Sequence, residues 1–280
     1  MHPTVHRATL ALLLEAGSTP TPGNVDRDRD LPDLRLDHFC AGALGAVPGL
    51  TLAASGAPIG HAFERSVAGM GAAQTGGNTQ FGALLLAVPL VATAATGPLT
   101  AERAAGLVAD TSTADTAAFY RSFEHVSVAV GPPPSGVSVP NVRAGEDAIP
   151  DLESAGHTLH DVMCASASVD DVAREWTEGF PRTFDAADRL IAASGPPLDR
   201  GARVHLRLLA DRPDTFVAKR HGPETAESVR ERAAALLSDP AQGAIDDFAD
   251  DLVARGINPG TTADILAGGF VIALDRGLRV

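Results

Sequence analysis

The chain has 280 residues, a formal net charge of -13 and an apolar fraction of 45%. That length suffices for one large domain or two small ones, each with a buried core. Aromatic residues make up 4% of the sequence, which favours closely packed helices over a β-sandwich. The acidic balance argues against general binding to nucleic acid or to an anionic membrane.

Apolar periodicity indicates helices along nearly the whole chain, and it predicts an all-α fold with a single many-helix domain. The ligand cleft of such a fold is expected among helix termini and loops. The predicted helices cover residues 3–16, 33–47, 59–70, a segment capped by Thr79, and then 100–110, 113–126, 151–163, 168–179, 182–194, 199–211, 224–238, 241–255 and 262–277.

Two segments break this pattern. Residues 128–150 are rich in proline and glycine, and we expect an irregular excursion from the domain there rather than a domain boundary. Residues 66–101 carry no formal charge, but their apolar run is too short to span a bilayer and contains Pro89. A buried central helix, and no membrane segment, is therefore predicted.

Cys40 and Cys164 are the only cysteines, and both have apolar neighbours in the sequence. This predicts buried free thiols in a reducing, cytoplasmic protein.

The first polar cluster follows the opening helix and reads STPTPGNVDRDRD, Ser18 to Asp30. Its aspartates, with Asp37, have the spacing of a calcium loop, but Leu31 stands where such a loop needs glycine. Two interpretations remain: a solvated turn whose acids pair with arginines, or a set of carboxylates that holds a metal–phosphate group.

The second cluster, Gln74 to Gly82, combines glycines with Asn78 and Thr79 at the start of an apolar helix. Glycine lets a ligand approach the backbone closely, and a helix N-terminus favours an anion. A simple helix cap is the alternative.

Two further clusters lie in the second half of the chain. DTFVAKRHG, Asp214 to Gly222, contains Lys219, which is the only lysine. This indicates either a phosphate contact or a solvated charged surface. NPGTTADIL, Asn258 to Leu266, places Thr261 and Asp264 at the spacing of a capping box.

Taken in order, TPGNVD (21–26), GGNTQFG (76–82), DTFVAKRHG (214–222) and NPGTTADIL (258–266) resemble the motifs of the triphosphoribosyl-dephospho-CoA synthase family. The resemblance spans nearly the whole chain. It implies a cytoplasmic all-helical transferase that joins ATP to 3′-dephospho-CoA and releases adenine. A ribose hydroxyl of the acceptor would attack the anomeric carbon of the ATP ribose.

The resemblance also implies roles for individual residues. Asp26, Asp37 and Asp264 would be catalytic, and Asp26, Asp30 and Asp264 would hold Mg²⁺ with ATP. The expected substrate-binding residues are Asn24, Arg65, Gly77, Asn78, Thr79, Asp214, Lys219, Arg220, Asn258 and Thr261.

The chain departs from the family pattern at two places. Thr21 stands where the family carries a lysine, and Gln80-Phe81 replaces a His-Lys pair. Both changes remove positive charge where phosphate is expected. Two alternatives therefore remain open: a related ribosyl or phosphoribosyl transfer to another cofactor precursor, or a nucleotide-binding protein without catalysis.

Overall fold

The computed structural model describes residues 2–131, 138–238 and 243–280, and these residues form helices and connecting loops without a β-strand. The all-α prediction is confirmed. The helices are α1 (Pro3–Gly17), α2 (Leu36–Gly45), α3 (Val47–Ala54), α4 (Ile59–Ala72), α5 (Phe81–Thr96), α6 (Ala101–Ala109), α7 (Thr113–Ser122), the 3-10 helix η1 (Val142–Ala148), α8 (Ile149–Ala155), α9 (Leu159–Ser166), α10 (Asp171–Glu178), α11 (Pro181–Ala192), α12 (Pro197–Asp211), α13 (Thr215–His221), α14 (Pro223–Ser238), α15 (Ala244–Ala254) and α16 (Gly260–Asp275).

Two helices that are apolar on all sides, α5 and α16, form the centre of the fold. Their side chains are buried almost continuously, from Ala83 to Thr93 in α5 and from Ile265 to Leu274 in α16. A helix of this composition is stable in water only when other helices surround it. Helix α16 accordingly packs against α1, α5 and α11.

A second apolar cluster joins α12 to α13, α14 and α15. Leu206, Leu209, Val217, Val229, Phe248 and Leu252 belong to it. Helix α12 also contributes Val204 and Leu208 to the main core. It therefore connects the last third of the helices to the central pair.

The structure departs from the predicted helices at two places. The segment 33–47 was predicted to be one helix, but α2 covers only Leu36–Gly45, and the next helix, α3 (Val47–Ala54), which has Pro48 in its first turn, was not predicted. Proline fits a first turn because its nitrogen has no hydrogen to donate. The predicted helix 151–163 is divided into α8 and α9 after Gly156, which adopts the left-handed conformation with φ of 71°.

The N-terminus of α5 also differs from the prediction that Thr79 caps it. The N-cap position belongs to Gln80, and the Asn78 Oδ1 atom accepts a hydrogen bond from the Phe81 amide at 3.0 Å. The capping group is therefore an asparagine amide.

The predicted excursion at 128–150 is irregular up to Asn141 where it is described, and residues 132–137 lie outside the described part. From Val142 onward the chain forms η1 and then the start of α8. The buried-thiol prediction is wrong for Cys164, which is exposed on α9, while Cys40 is half-buried.

The prediction that α5 is a buried central helix is confirmed by its burial. Within the described residues, the stretch Leu36–Ala54 is long and apolar enough to cross a membrane by those two criteria alone. It comprises α2 and α3, and both helices pack against α4.

Candidate functional site

A cleft of about 280 Å³ lies where the N-terminal ends of α5, α13 and α16 meet the C-terminal end of α1. Helix termini and loops line it, as the sequence predicts. Its polar part contains Glu15, Asn24, Asn78, Thr79, Gln80, Asp170, Lys219, Asn258, Thr261 and Asp264. Its apolar part is formed mainly by Phe81, Phe119, Phe123, Val128, Val130, Val142, Val162 and Met163.

Two carboxyl groups, from the two ends of the chain, interact in the polar part. Glu15 is in the last turn of α1, and Asp264 is in the first half of α16. Burial, followed by the charge of Asp264, raises the pKa of Glu15 well above its ordinary value. Burial also raises the pKa of Asp264, with Asp214 and Asp170 adding to the effect. Burial and a neighbouring like charge both disfavour the ionised form of a carboxyl group, so this arrangement favours proton binding by the pair.

Lys219 on α13 is the one cationic side chain on the described wall of the cleft. Its Nζ atom lies 3.1 Å from the Asp170 Oδ2 atom. The other oxygen of Asp170 accepts hydrogen bonds from the amides of Val172 and Ala173 and so caps α10. Lys219 is therefore held at the cleft by an acid with a fixed position.

Asp214, predicted as a substrate contact, lies behind the cleft wall and joins two helix N-termini. Its Oδ1 atom accepts hydrogen bonds from the Phe216 and Val217 amides of α13. Its Oδ2 atom accepts from the amide and the hydroxyl of Thr262 in α16, at 2.7 and 2.8 Å. Burial raises its pKa, whereas these hydrogen bonds lower it. The residue thereby fixes α13 against α16.

Asp26, predicted to be both catalytic and a metal ligand, is buried within the first loop rather than on the cleft wall. Its carboxylate accepts hydrogen bonds from the amides of Thr21 and Asp28, at 3.0 and 2.9 Å, and lies 3.3 Å from Arg29. Arg29 also pairs with Asp246 and Asp250 at the start of α15. The Asp26 oxygens are therefore occupied in holding the loop together.

The predicted metal set of Asp26, Asp30 and Asp264 is not brought together. Asp30 is exposed, and its Oδ1 atom accepts from the Leu36 amide at 3.2 Å. Asp37, predicted to be catalytic, is 67% exposed and pairs with Arg35, whose hydrogen bond lowers the Asp37 pKa. No three His, Cys, Asp or Glu side chains of the described ranges are grouped to hold a metal ion.

The remaining predicted contacts divide between the cleft and the surface. Asn24, Asn78, Thr79, Asn258 and Thr261 line the cleft. The Asn24 amide lies 3.0 Å from the His205 Nε2 atom, and burial lowers the pKa of His205 to about 3, which keeps that ring neutral.

Three of the predicted contacts lie on the surface, outside the cleft wall. Arg65, Gly77 and Arg220 are all exposed. Gly77 has a φ of 83°, and no atom lies within 4 Å of the position where its Cβ would stand. Glycine is therefore favoured at this position by the left-handed backbone conformation of the turn, and not by a neighbouring atom that would clash with a side chain.

Phe81, which stands at a family lysine position, belongs to an aromatic cluster. Its ring centroid lies 5.0 Å from that of Phe63 and 5.0 Å from that of Phe123. Phe119 contacts the same rings. Aromatic pairs at such distances stabilise a core beyond the area they bury. At the position where the family motif has a lysine, this chain therefore has an aromatic side chain that forms part of the apolar wall of the cleft.

Sequence reasoning missed Glu15 and Phe216. The signal for Glu15 was present, because it is an acid in the last turn of a helix whose second half is otherwise apolar, and an anion is unfavourable at that end of a helix. Phe216 lies inside the motif DTFVAKRHG, which was interpreted only through its charged residues.

Comparisons with known proteins identify the family to which the chain belongs. The family model for CitG, ATP:dephospho-CoA triphosphoribosyl transferase, matches residues 3–279. Among solved structures, a protein of Archaeoglobus fulgidus is 26% identical, with a TM-score of 0.70 over 85% of this chain and 99% of that chain. Its name, triphosphoribosyl-dephospho-CoA synthase, is provisional. No curated protein matches the sequence significantly. Because the family model covers nearly the whole length, this chain belongs to the CitG family of ATP:dephospho-CoA triphosphoribosyl transferases.

Proposed function

We propose that the protein transfers the triphosphoribosyl group of ATP to a ribose hydroxyl of 3′-dephospho-CoA and releases adenine. The bond between the anomeric carbon and adenine breaks, and a bond between that carbon and the acceptor oxygen forms. The hydroxyl proton leaves the acceptor, and one proton is delivered to adenine. Family membership supports this reaction, and the observation that carries it is that Glu15 and Asp264 both line the cleft, where the charge of Asp264 acts on Glu15.

The pair provides the acid and the base that the reaction needs. When two interacting carboxyls share one proton, one is a carboxylate and the other a carboxylic acid. The carboxylate accepts the proton of the attacking hydroxyl, and the acid protonates the departing base. The same negative charge stabilises the positive charge that develops at the anomeric carbon.

Binding of the triphosphate requires positive charge, and the described wall of the cleft has one cationic side chain. The described wall carries the acidic side chains of Glu15, Asp170 and Asp264, and Lys219 is its cation. We therefore propose that Lys219 exchanges Asp170 for a phosphate oxygen and that Mg²⁺ arrives with ATP. Carboxylate oxygens are the protein ligands Mg²⁺ prefers, usually one or two beside phosphate and water. Asp170 would supply one of these ligands, and the ion would neutralise the phosphates.

We also propose a cytoplasmic location. Cys40 and Cys164 are both free, and Cys164 is exposed. Exposed free thiols persist in a reducing compartment.

The test is chromatography of the protein incubated with ATP, Mg²⁺ and 3′-dephospho-CoA. Adenine should appear only when the acceptor is present, in equal amount to the acceptor consumed. Adenine release with another ribose-containing cofactor precursor, and not with dephospho-CoA, would instead support the related transfer. ATP binding by calorimetry without any adenine release would support a nucleotide-binding protein.

A further inference from the structure

We propose that the space between Phe216 and Asn258, above Gly260, is a binding site for the adenine base of a substrate nucleotide. The inference rests on the proposed function, because ATP and 3′-dephospho-CoA both carry adenine. It assigns a specific part of the cleft to a planar base that has an amino group.

The site is defined by Gly260, the first residue of α16, which has no side chain to fill the space above its Cα atom. A Cβ added at Gly260 would lie 3.4 Å from the Phe216 Cδ1 atom and 3.6 Å from the Asn258 Oδ1 atom. The ring and the amide therefore both border the space above one Cα atom. All three residues line the cleft.

Asn258 carries an unsatisfied polar atom. Its Oδ1 atom is buried and has no hydrogen-bond partner in the described part of the chain. Buried polar atoms are normally paired, so an orphaned one indicates a ligand or a water molecule. A carboxamide pairs with adenine through two hydrogen bonds, accepting one from the 6-amino group and donating one to the neighbouring ring nitrogen.

Phe216 supplies an aromatic surface beside that amide. Its ring is half-buried, and within the described residues it makes none of the ring–ring contacts that join Phe81, Phe119 and Phe123. Asp214 holds the Phe216 amide at 2.8 Å and the Thr262 amide at 2.7 Å. These hydrogen bonds fix the backbone of Phe216 relative to α16. Any nucleic-acid base can stack on a phenylalanine ring.

The position also fits the reaction. Asp264 follows Gly260 by one helical turn, about 6 Å along the axis. A base above Gly260 would therefore direct its ribose toward the Glu15–Asp264 pair. The distance of about 6 Å between Gly260 and Asp264 along the axis of α16 matches the distance between the base and the ribose of a nucleoside.

The first experiment fills the site with a methyl group. Gly260→Ala makes ordinary van der Waals contacts at the first position of α16, so the helix should form as before. We expect it to weaken binding of an adenine nucleotide by roughly 5- to 150-fold, the range for loss of one stacked base. ATP and dephospho-CoA are titrated separately by calorimetry. Gly106→Ala in α6, with no atom within 4 Å of the added Cβ, is the matched control.

The second experiment removes each recognition group. Phe216→Leu should weaken the same nucleotide by a similar factor. Asn258→Ala should lower the preference for ATP over inosine triphosphate, which carries oxygen in place of the amino group, by roughly 5- to 150-fold. Loss of ATP affinity alone identifies the donor's adenine as the occupant, and loss of dephospho-CoA affinity alone identifies the acceptor's.

Unchanged affinity for both nucleotides in folded Gly260→Ala and Phe216→Leu proteins would overturn the adenine site. Folding is checked by circular dichroism. The proposed reaction fails separately: if the wild type releases no adenine but Gly260→Ala still loses nucleotide affinity, the site stands and the reaction does not.

Discussion

The Asp264 carboxylate lies in the space that a side chain on Gly82 would need. A Cβ added at residue 82 would come within 2.6 Å of the Asp264 Cγ atom. The next amide of α5, that of Ala83, lowers the pKa of Asp264 against the larger effect of burial. Gly82 closes the second motif, and its role is therefore to admit the carboxylate of another helix.

We expect Gly82→Ala to displace Asp264 and to reduce adenine release strongly. The added methyl overpacks the contact between α5 and Asp264, and overpacking typically costs about 1–3 kcal/mol of stability. Helical circular dichroism should be retained, and urea unfolding measures the cost. Gly106→Ala, placed in open space on α6, should leave adenine release unchanged and should raise stability by about 0.5–1 kcal/mol, because alanine favours a helix over glycine. Full activity in Gly82→Ala would show that the position of Asp264 does not matter for turnover.

Glu15→Gln and Asp264→Asn should each reduce the rate of adenine release about 10²- to 10⁴-fold, the usual contribution of general acid–base catalysis. Because the two groups act as one unit, the double variant should be little slower than either single variant. Glu178→Gln, at an exposed acid of α10, is the control. Additive losses in the double variant would contradict a shared proton.

The same pair makes stability depend on pH. Both carboxyls have pKa values raised by burial, so the folded protein holds protons that the unfolded chain has released. Their contribution is fully present below about pH 4, where the unfolded carboxyls titrate, and is lost as pH rises through the folded pKa values. Glu15→Gln should therefore be more stable than the wild type near pH 7 and equal to it near pH 4. Urea unfolding at both pH values measures the difference, and an equal gain at both would contradict it.

Some of this site could be predicted from the sequence because local patterns carry the information. The Pro-Gly-Thr-Thr start of α16 positions Asp264, and the only lysine directs attention to Lys219. The place of Glu15 in the last turn of α1 is a local signal, but its interaction with Asp264 could not be predicted, because Asp264 lies at the other end of the chain. Helix α3 was missed because Pro48 and Gly49, which lie in its first turn, are residues that usually mark a turn or the end of a helix.

The contacts of Asp26, which the family resemblance implies to be catalytic, favour a structural role in the first loop. Its motif suggests catalysis, but its oxygens accept from the Thr21 and Asp28 amides and pair with Arg29. Asp26→Asn would place a donor against these donors, so we expect a loss of about 1–3 kcal/mol, the cost of a buried hydrogen-bonding group left unsatisfied. Thermal unfolding should report that loss, while adenine release measured well below the unfolding temperature should fall only a few-fold. Conversely, a folded Asp26→Asn protein slowed as much as Asp264→Asn would return Asp26 to the catalytic role that the family resemblance implies.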